Sequence, residues 1–128
     1  MRLLLDTHVF IWWDSEPRKL SPQALALCKD PENELMLSVV SLWEIQIKSR
    51  IDKVRLRLPL SELVQAQQEA NGMGVLPVTA LHVYGLEGLP PYHRDPFDRM
   101  LVAQTKVEKL RLISSDEMIR KYPIEVVW

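Results

Sequence analysis

The sequence is poor in residues that mark several specialised protein classes. It has 1 cysteine and 4 glycines in 128 residues, which excludes a disulfide framework, a cysteine-rich zinc cluster and a collagen-like repeat. The apolar run Leu3–Leu5 ends at Asp6, too early for a secretory signal, and no stretch approaches the ~18 apolar residues of a membrane span. We therefore expect a cytoplasmic protein without a membrane segment. Cys28, among apolar neighbours, is expected to be a buried, inert thiol.

An excess of positive charge is also missing. The formal net charge is −1, whereas a domain that binds nucleic acid by general electrostatics is usually strongly basic. The one basic cluster, Lys48–Arg57, is interleaved with apolar residues and is typical of a solvated face, with a backbone contact to nucleic acid as the alternative. Any contact with nucleic acid must therefore be local or metal-mediated.

Short apolar runs alternate with helical patterns along the whole chain. The predicted strands are Arg2–Leu5, Glu34–Ser38, Val75–Val78, Arg111–Ser114 and Ile124–Trp128. The predicted helices are Thr7–Trp13, Pro22–Lys29, Val40–Arg50, Pro59–Glu69, Thr79–Leu86, Pro96–Leu110 and the short Met118–Lys121. This alternation predicts a single α/β domain, a parallel sheet with helices on both faces.

The stretch His93–Arg99 begins the helix before the fourth strand. Asp95 followed by Pro96 is a good helix start, which makes Asp95 the N-cap and puts Asp98 in the first turn. Capping alone can explain both acids, because the helix dipole favours negative charge in the first turn.

Glu44 is harder to explain by local structure. Val40, Trp43, Ile47 and Ile51 form one stripe at helical spacing, predicted to face the core, and Glu44 lies at its edge. A carboxylate there is costly unless a cation or hydrogen-bond donors meet it, and Lys48 or Arg50 could do so. An apolar surface for a partner or a dimer is expected from Trp12, Trp13, Leu42 and Ile45.

Four acids are expected at one edge of the sheet. Asp6 and Asp116 follow strands, Glu44 lies on the helix after the second strand, and Asp98 begins the helix before the fourth. A capping role remains the alternative for each aspartate. An all-carboxylate pocket suits Mg²⁺ or Mn²⁺, and two such ions could activate water against a phosphodiester. His8 and His93 are left out because no zinc-type spacing accompanies them, and no glycine-rich phosphate loop or nucleophile elbow is present.

Four motifs carry a family resemblance: Leu4–His8, Ser41–Ile45, His93–Arg99 and Ser114–Asp116. In this order they resemble the PIN-domain family, and most nearly its VapC-type toxins of type II toxin–antitoxin modules. The resemblance runs from Leu3 to Trp128 and implies one PIN-like nuclease domain over residues 1–128 with a five-stranded parallel sheet. It also implies Mg²⁺-dependent endoribonuclease activity on RNA and inhibition by a cognate, VapB-like antitoxin. We further expect a homodimer, and a basic antitoxin residue in the acidic pocket.

The resemblance also assigns roles to residues. Asp6, Glu44, Asp98 and Asp116 fall on the family's acidic quartet and are the expected catalytic and metal-binding residues. The expected secondary positions are Thr7, Asp95 and Ser114. Thr105 replaces a more usual alanine in the helix.

Two other classes remain open. One is a receiver or haloacid-dehalogenase-like phosphatase, although the phosphatases need an aspartate two residues after the first and this chain has His8 there. The other is a non-catalytic PIN-fold binding protein, because a sequence cannot demonstrate turnover.

Overall fold

Five short strands form one sheet in the computed structural model, which describes all residues, Met1–Trp128. All strand pairs are parallel, in the order β3-β2-β1-β4-β5. The strands are β1 (Arg2–Leu5), β2 (Glu34–Ser38), β3 (Gly74–Leu76), β4 (Arg111–Ile113) and β5 (Glu125–Val127). The predicted five-stranded parallel sheet is confirmed.

Six helices and two 3₁₀ turns connect the strands. The helices are α1 (Thr7–Ser15), α2 (Pro22–Lys29), α3 (Val39–Arg50), α4 (Leu60–Asn71), α5 (Ala80–Tyr84) and α6 (Pro96–Glu108). The 3₁₀ turns are Pro17–Lys19 and Ile119–Lys121, the second of which replaces the predicted α-helix there. Helix starts follow local chemistry: the Ser21 hydroxyl accepts from the Ala24 N–H, and Thr79 caps α5. None of the helices has the length and apolar character needed to cross a bilayer.

The core lies on both faces of the sheet, as predicted. Leu3 and Leu5 of β1 point into one cluster with Phe10, while Leu4 points into a second cluster with Leu101. Successive residues of a strand face opposite sides, so a sheet that is covered on both faces needs apolar residues at every position. This explains the continuous apolar runs in the sequence.

Several predicted boundaries are too long. β3 ends at Leu76 rather than Val78, because Pro77 has no N–H to donate within the sheet. Helix α5 ends at Tyr84 rather than Leu86. β4 and β5 are each shorter at their ends than predicted, although the N–H of Ser114 still donates to the carbonyl of Val127 at 3.2 Å.

Of the apolar stripe predicted to face the core, only Val40 is buried, and the predicted orientation of α3 is wrong for the other three residues. Trp43, Ile47 and Ile51 are exposed, by 63%, 41% and 57%, instead of facing the core. The buried side carries Ile45, together with Val40, Ser41 and Glu44. Ile45 is fully buried and therefore cannot belong to the predicted apolar partner surface, whose other members Trp12, Trp13 and Leu42 pack partly against the core. Polar partners for Ser41 and Glu44, described below, explain why the helix turns this side inward.

Two smaller predictions are confirmed. Cys28 is buried, and burial raises the pKa of its thiol to about 11, so it is protonated and inert at neutral pH. The basic cluster is largely solvated: Arg50, Lys53, Arg55 and Arg57 are exposed, and Arg57 pairs with Asp14 at 2.8 Å. Lys48 is the exception, because it turns towards Glu44.

Candidate active site

Asp6 and Ser114 meet where two neighbouring strands end. β1 and β4 are paired with Leu5 opposite Ile113, so the residues that follow the two strands lie side by side. The Ser114 hydroxyl donates to Oδ2 of Asp6 at 2.6 Å, and both side chains are buried. Asp6 stands at the N-cap of α1 but its side chain makes no capping hydrogen bond. The capping alternative therefore fails for Asp6.

Burial dominates the electrostatics of Asp6. It raises the pKa of the carboxyl, and the charge of Glu44 adds to this, while the hydrogen bond from Ser114 and the charge of His8 only partly oppose it. Burial therefore disfavours the ionised form of Asp6.

Glu44 lies on the buried side of α3, and only one of its two carboxylate oxygens has a hydrogen-bond partner. Its Oε2 accepts from Nζ of Lys48 at 2.6 Å, while its Oε1 is buried without any hydrogen-bond partner. Partial burial alone would lower the pKa of Lys48, but the hydrogen bond and charge of Glu44 outweigh it and raise the pKa. The predicted pairing with Lys48 thus exists, yet it leaves one carboxylate oxygen unexplained. Buried oxygens without partners are rare in proteins.

Asp95 and Asp98 divide their roles at the start of α6. Oδ1 of Asp95 accepts from the N–H groups of Phe97 at 2.8 Å and of Asp98 at 3.3 Å, which confirms Asp95 as the N-cap. The Asp98 side chain is not used in the cap. Burial, followed by the charges of Asp95, Asp6 and Glu44, raises the pKa of Asp98 to about 7. The charges of Glu44 on α3 and of Asp6 after β1 therefore both act on Asp98.

Asp116 is held by two donors. Its Oδ2 lies 2.9 Å from Nε2 of His93, and its Oδ1 accepts from the N–H of Met118 at 2.8 Å. Partial burial would raise the pKa of Asp116, but these hydrogen bonds outweigh it and hold the pKa below its usual value. The bond to Met118 is a local turn contact and not a helix cap, because the following 3₁₀ turn begins at Ile119 with Met118 at its N-cap.

The structure places Asp98 and Asp116 within metal-binding reach of each other, while Asp6 and Glu44 lie outside that group and act on Asp98 through the effect of their charges on its pKa. Ligand atoms of His93, Asp98 and Asp116 all lie within 4.8 Å of one another. Of the secondary positions, Ser114 contacts Asp6 and also accepts from the N–H of Asp116 at 3.1 Å. The Thr7 hydroxyl instead bonds to that of Ser41 at 2.8 Å, which ties α1 to α3.

This donor set fits a hard divalent cation. A cation would supply the missing partner of Glu44 Oε1 and a positive charge beside Asp6 and Asp98, whose ionised forms burial disfavours. Carboxylate oxygens are the ligands such cations prefer. The edge therefore offers the oxygen ligands that a divalent cation needs.

Sequence reasoning missed two contributors to this site. His93 was considered only as a zinc ligand, and Tyr122, whose hydroxyl contacts it at 3.2 Å, was not considered. The available signal was the position of His93 inside the central stretch, two residues before Asp95. Tyr122 gives no such signal, because it reaches the site only through folding.

Both the sequence and the fold are similar to those of known proteins. The PIN domain family matches residues 3–125. Ribonuclease VapC22 of Mycobacterium tuberculosis (strain ATCC 25618 / H37Rv) is 30% identical over 121 residues, which covers 94% of this chain and 91% of that protein.

Solved structures give the same fold at low sequence identity. VapBC2 from Rickettsia felis, bound to a DNA fragment from their promoter, matches with a TM-score of 0.72 and 13% identity over 99% of this chain and 98% of that chain. FitAcB from Neisseria gonorrhoeae matches with a TM-score of 0.62 and 17% identity, over 98% and 96% of the two chains. Because the family match and the similarity to VapC22 both extend over nearly the whole sequence, this protein belongs to the PIN-domain family.

Proposed function

We propose that residues 1–128 form the nuclease domain of a VapC-type toxin, a Mg²⁺-dependent endoribonuclease that a cognate antitoxin neutralises. Similarity to Ribonuclease VapC22 supports the activity. The observation that carries it is the buried, partnerless Oε1 of Glu44, which shares its surroundings with the two destabilised carboxyls Asp6 and Asp98. In a purely structural acid cluster, burying carboxylate charge without compensation would only cost free energy.

Asp6, Glu44, Asp98 and Asp116 are the proposed catalytic and metal-binding residues. When bound by these residues, Mg²⁺ or Mn²⁺ would supply Lewis-acid activation of water and stabilisation of the leaving oxygen of the phosphodiester. The protein's own task is to present carboxylate oxygens at one edge with fixed orientations. Asp98 titrates near neutral pH, so it can change its ionisation at little cost when the local charge changes.

The secondary positions support this edge. Ser114 fixes Asp6 through a 2.6 Å hydrogen bond and also receives the N–H of Asp116, which links two of the acids. Asp95 sets the start of α6 and so the position of Asp98. Thr7 locks α1 against α3 through Ser41, which fixes the helix that carries Glu44.

Purified, antitoxin-free protein is expected to cleave single-stranded or loop RNA in Mg²⁺ or Mn²⁺ and to leave 5′-phosphate ends. The water attacks phosphorus and the 3′ oxygen leaves, which determines this polarity. Sequencing of the digest of total RNA measures both the products and their ends.

Two controls separate the rival classes. Cleavage that persists fully in EDTA contradicts the metal mechanism. Hydrolysis of p-nitrophenyl phosphate without any RNA cleavage would favour the phosphatase alternative, and inactivity on both substrates despite antitoxin binding would favour the non-catalytic binding protein.

An antitoxin and a second copy of the chain are the proposed partners. The similar solved structures include VapBC2 and FitAB assemblies bound to DNA. In this chain, exposed Trp43 packs edge-on against Phe97 at 5.2 Å, next to Asp98, and borders an apolar groove of about 410 Å³. An apolar groove beside an acidic edge is complementary to an antitoxin segment that carries apolar residues and one arginine or lysine.

Trp43→Ala is expected to weaken antitoxin binding strongly, because buried aromatic anchors dominate such interfaces, with losses of about 2 kcal/mol or more. Tyr84→Ala, at an equally exposed aromatic of α5, is the matched control. Sedimentation velocity with the product of the neighbouring gene gives both the affinity and the stoichiometry. A monomer under every condition would contradict the proposed homodimer, and equal binding by both variants would contradict the proposed groove.

A further inference from the structure

Tyr122 and His93 form a buried aromatic contact behind Asp116. Their rings are stacked at 25° with centroids 5.6 Å apart, and Tyr122 is 3% exposed. Tyr92 packs edge-on against the other side of this contact, with its ring centroid 5.0 Å from that of Tyr122. His93 is therefore held by packing as well as by hydrogen bonds.

The hydrogen bonds determine where the imidazole carries its proton. The Tyr122 hydroxyl accepts from the backbone N–H of His93 at 3.0 Å, so its own proton is free to be donated to Nδ1 of the ring, 3.2 Å away. Nδ1 is then an acceptor, and the neutral ring carries its proton on Nε2. Nε2 consequently donates to Oδ2 of Asp116 at 2.9 Å.

We propose that His93, fixed by Tyr122, is a positioning residue that orients the Asp116 carboxylate towards Asp98 for the divalent cation. This inference rests on the proposed function. With Oδ2 bonded to His93 and Oδ1 bonded to the N–H of Met118, the carboxylate cannot rotate freely. Each oxygen keeps a further lone pair for a cation.

The segment that bears His93 is anchored to the helix that bears Asp98. Nη1 of Arg99 donates to the carbonyl of Pro90 at 2.8 Å, and Asp95 caps the same helix. His93 lies between these two anchors. The positions of Asp98 and Asp116 are thus coupled through His93, although the two acids lie on different elements.

His93→Ala is expected to lower the affinity for Mn²⁺ by about ten- to a hundred-fold, the usual effect of removing a partner that orients a metal ligand. His93→Gln is expected to recover most of that affinity, because the glutamine amide can place an N–H donor near the position of Nε2. Tyr122→Phe keeps the ring stacking but removes the hydroxyl, and an intermediate loss is expected. Isothermal titration with Mn²⁺ reports these affinities without relying on cleavage, and circular dichroism verifies the fold.

A double-mutant cycle separates positioning from general damage. In an Asp116→Asn background, His93→Ala should cause no further loss in Mn²⁺-dependent thermal stabilisation, because the group that it orients is already altered. Tyr84→Ala is the control, since Tyr84 is an exposed aromatic residue of α5 outside the acidic edge, and its Mn²⁺ affinity should equal that of the wild type.

The outcomes distinguish failure of the proposed function from failure of the positioning role of His93. Wild-type protein that neither binds Mn²⁺ nor cleaves RNA would overturn the proposed function, and this inference with it. If the wild type binds Mn²⁺ and cleaves RNA, and the Mn²⁺ affinity of His93→Ala is unchanged, only the positioning role is overturned. Equal losses in His93→Gln and His93→Ala would also overturn it, because they would show that the imidazole itself is required.

Discussion

Replacing Asp98 or Asp6 by asparagine is expected to reduce RNA cleavage by about a hundredfold or more, since loss of a ligand that stabilises the transition state through a metal removes several kcal/mol. The fold should survive both changes. The Asp6 side chain makes no capping hydrogen bond, and the cap of α6 is supplied by Asp95 instead. Cleavage rates on a defined RNA, measured with circular dichroism of the same samples, provide the comparison.

Asp30→Asn is the matched control for these variants. Asp30 is exposed and its Oδ1 accepts from the N–H of Glu32, so the change removes one carboxylate charge away from the acidic edge. The control should cleave at the wild-type rate. Cleavage by Asp98→Asn or Asp6→Asn within about tenfold of wild type, a loss below ~1.4 kcal/mol, would return that aspartate to a structural role.

The pH dependence of the free energy of unfolding tests the raised pKa of Asp98. Its pKa is about 7 in the folded chain against 3.8 for the free side chain, so the native state holds this proton more tightly than the unfolded state. The contribution of Asp98 to the stability of the metal-free wild type therefore falls as pH rises from about 4 to about 7 and then levels off. Asp98→Asn lacks this contribution.

The free energy of unfolding of metal-free Asp98→Asn should equal that of the wild type near pH 4 and exceed it by about 1–2 kcal/mol at pH 8. This difference is smaller than the full linkage value because the carboxyl is partly solvated. Added Mg²⁺ should reverse the order, because ligand binding stabilises the native state by mass action. Thermal melts over this pH range, with and without Mg²⁺, test both points. Parallel pH profiles for the two proteins would contradict the raised pKa.

Lys48→Met is expected to destabilise the metal-free protein by about 2–3 kcal/mol, somewhat less than the loss from breaking a fully buried ion pair. The Glu44 side chain is 3% exposed and that of Lys48 is 28% exposed. Without Lys48, a buried carboxylate has no hydrogen-bond partner on either oxygen. Glu44→Gln in the same chain should recover most of the loss, because it removes the unpaired charge. Urea unfolding in EDTA measures each variant.

Lys53→Met is the matched control, since Lys53 is exposed and forms no ion pair. Its effect should stay within about 0.5 kcal/mol. Divalent cation should reduce the cost of Lys48→Met, because the cation takes over the neutralisation of Glu44. A cost that is the same in EDTA and in saturating Mg²⁺ would mean that Glu44 is a structural ion-pair residue only.

The order of elements and the helix starts were readable from the sequence because both depend on local chemistry. Apolar runs separated by helical patterns predicted the parallel sheet, and Asp95 caps the helix that it was expected to cap. The placement of acids after strands predicted that Asp6 and Asp116 would share an edge, because parallel strands end together. The boundaries were less accurate, as at Pro77, because the last pairing of a strand depends on its neighbour.

The orientation of α3 and the environment of its acid were decided by tertiary structure. Helical periodicity identifies stripes but does not determine which stripe faces the core, and the apolar stripe of Trp43, Ile47 and Ile51 is the exposed one. The buried side includes Ser41, whose hydroxyl bonds to that of Thr7, a residue distant in sequence. The contact of His93 with Asp116 and the raised pKa of Asp98 likewise arise between segments far apart along the chain. Burial and charge act through space, so the sequence determined which acids and which elements are present, while only folding determined their contacts and their ionisation.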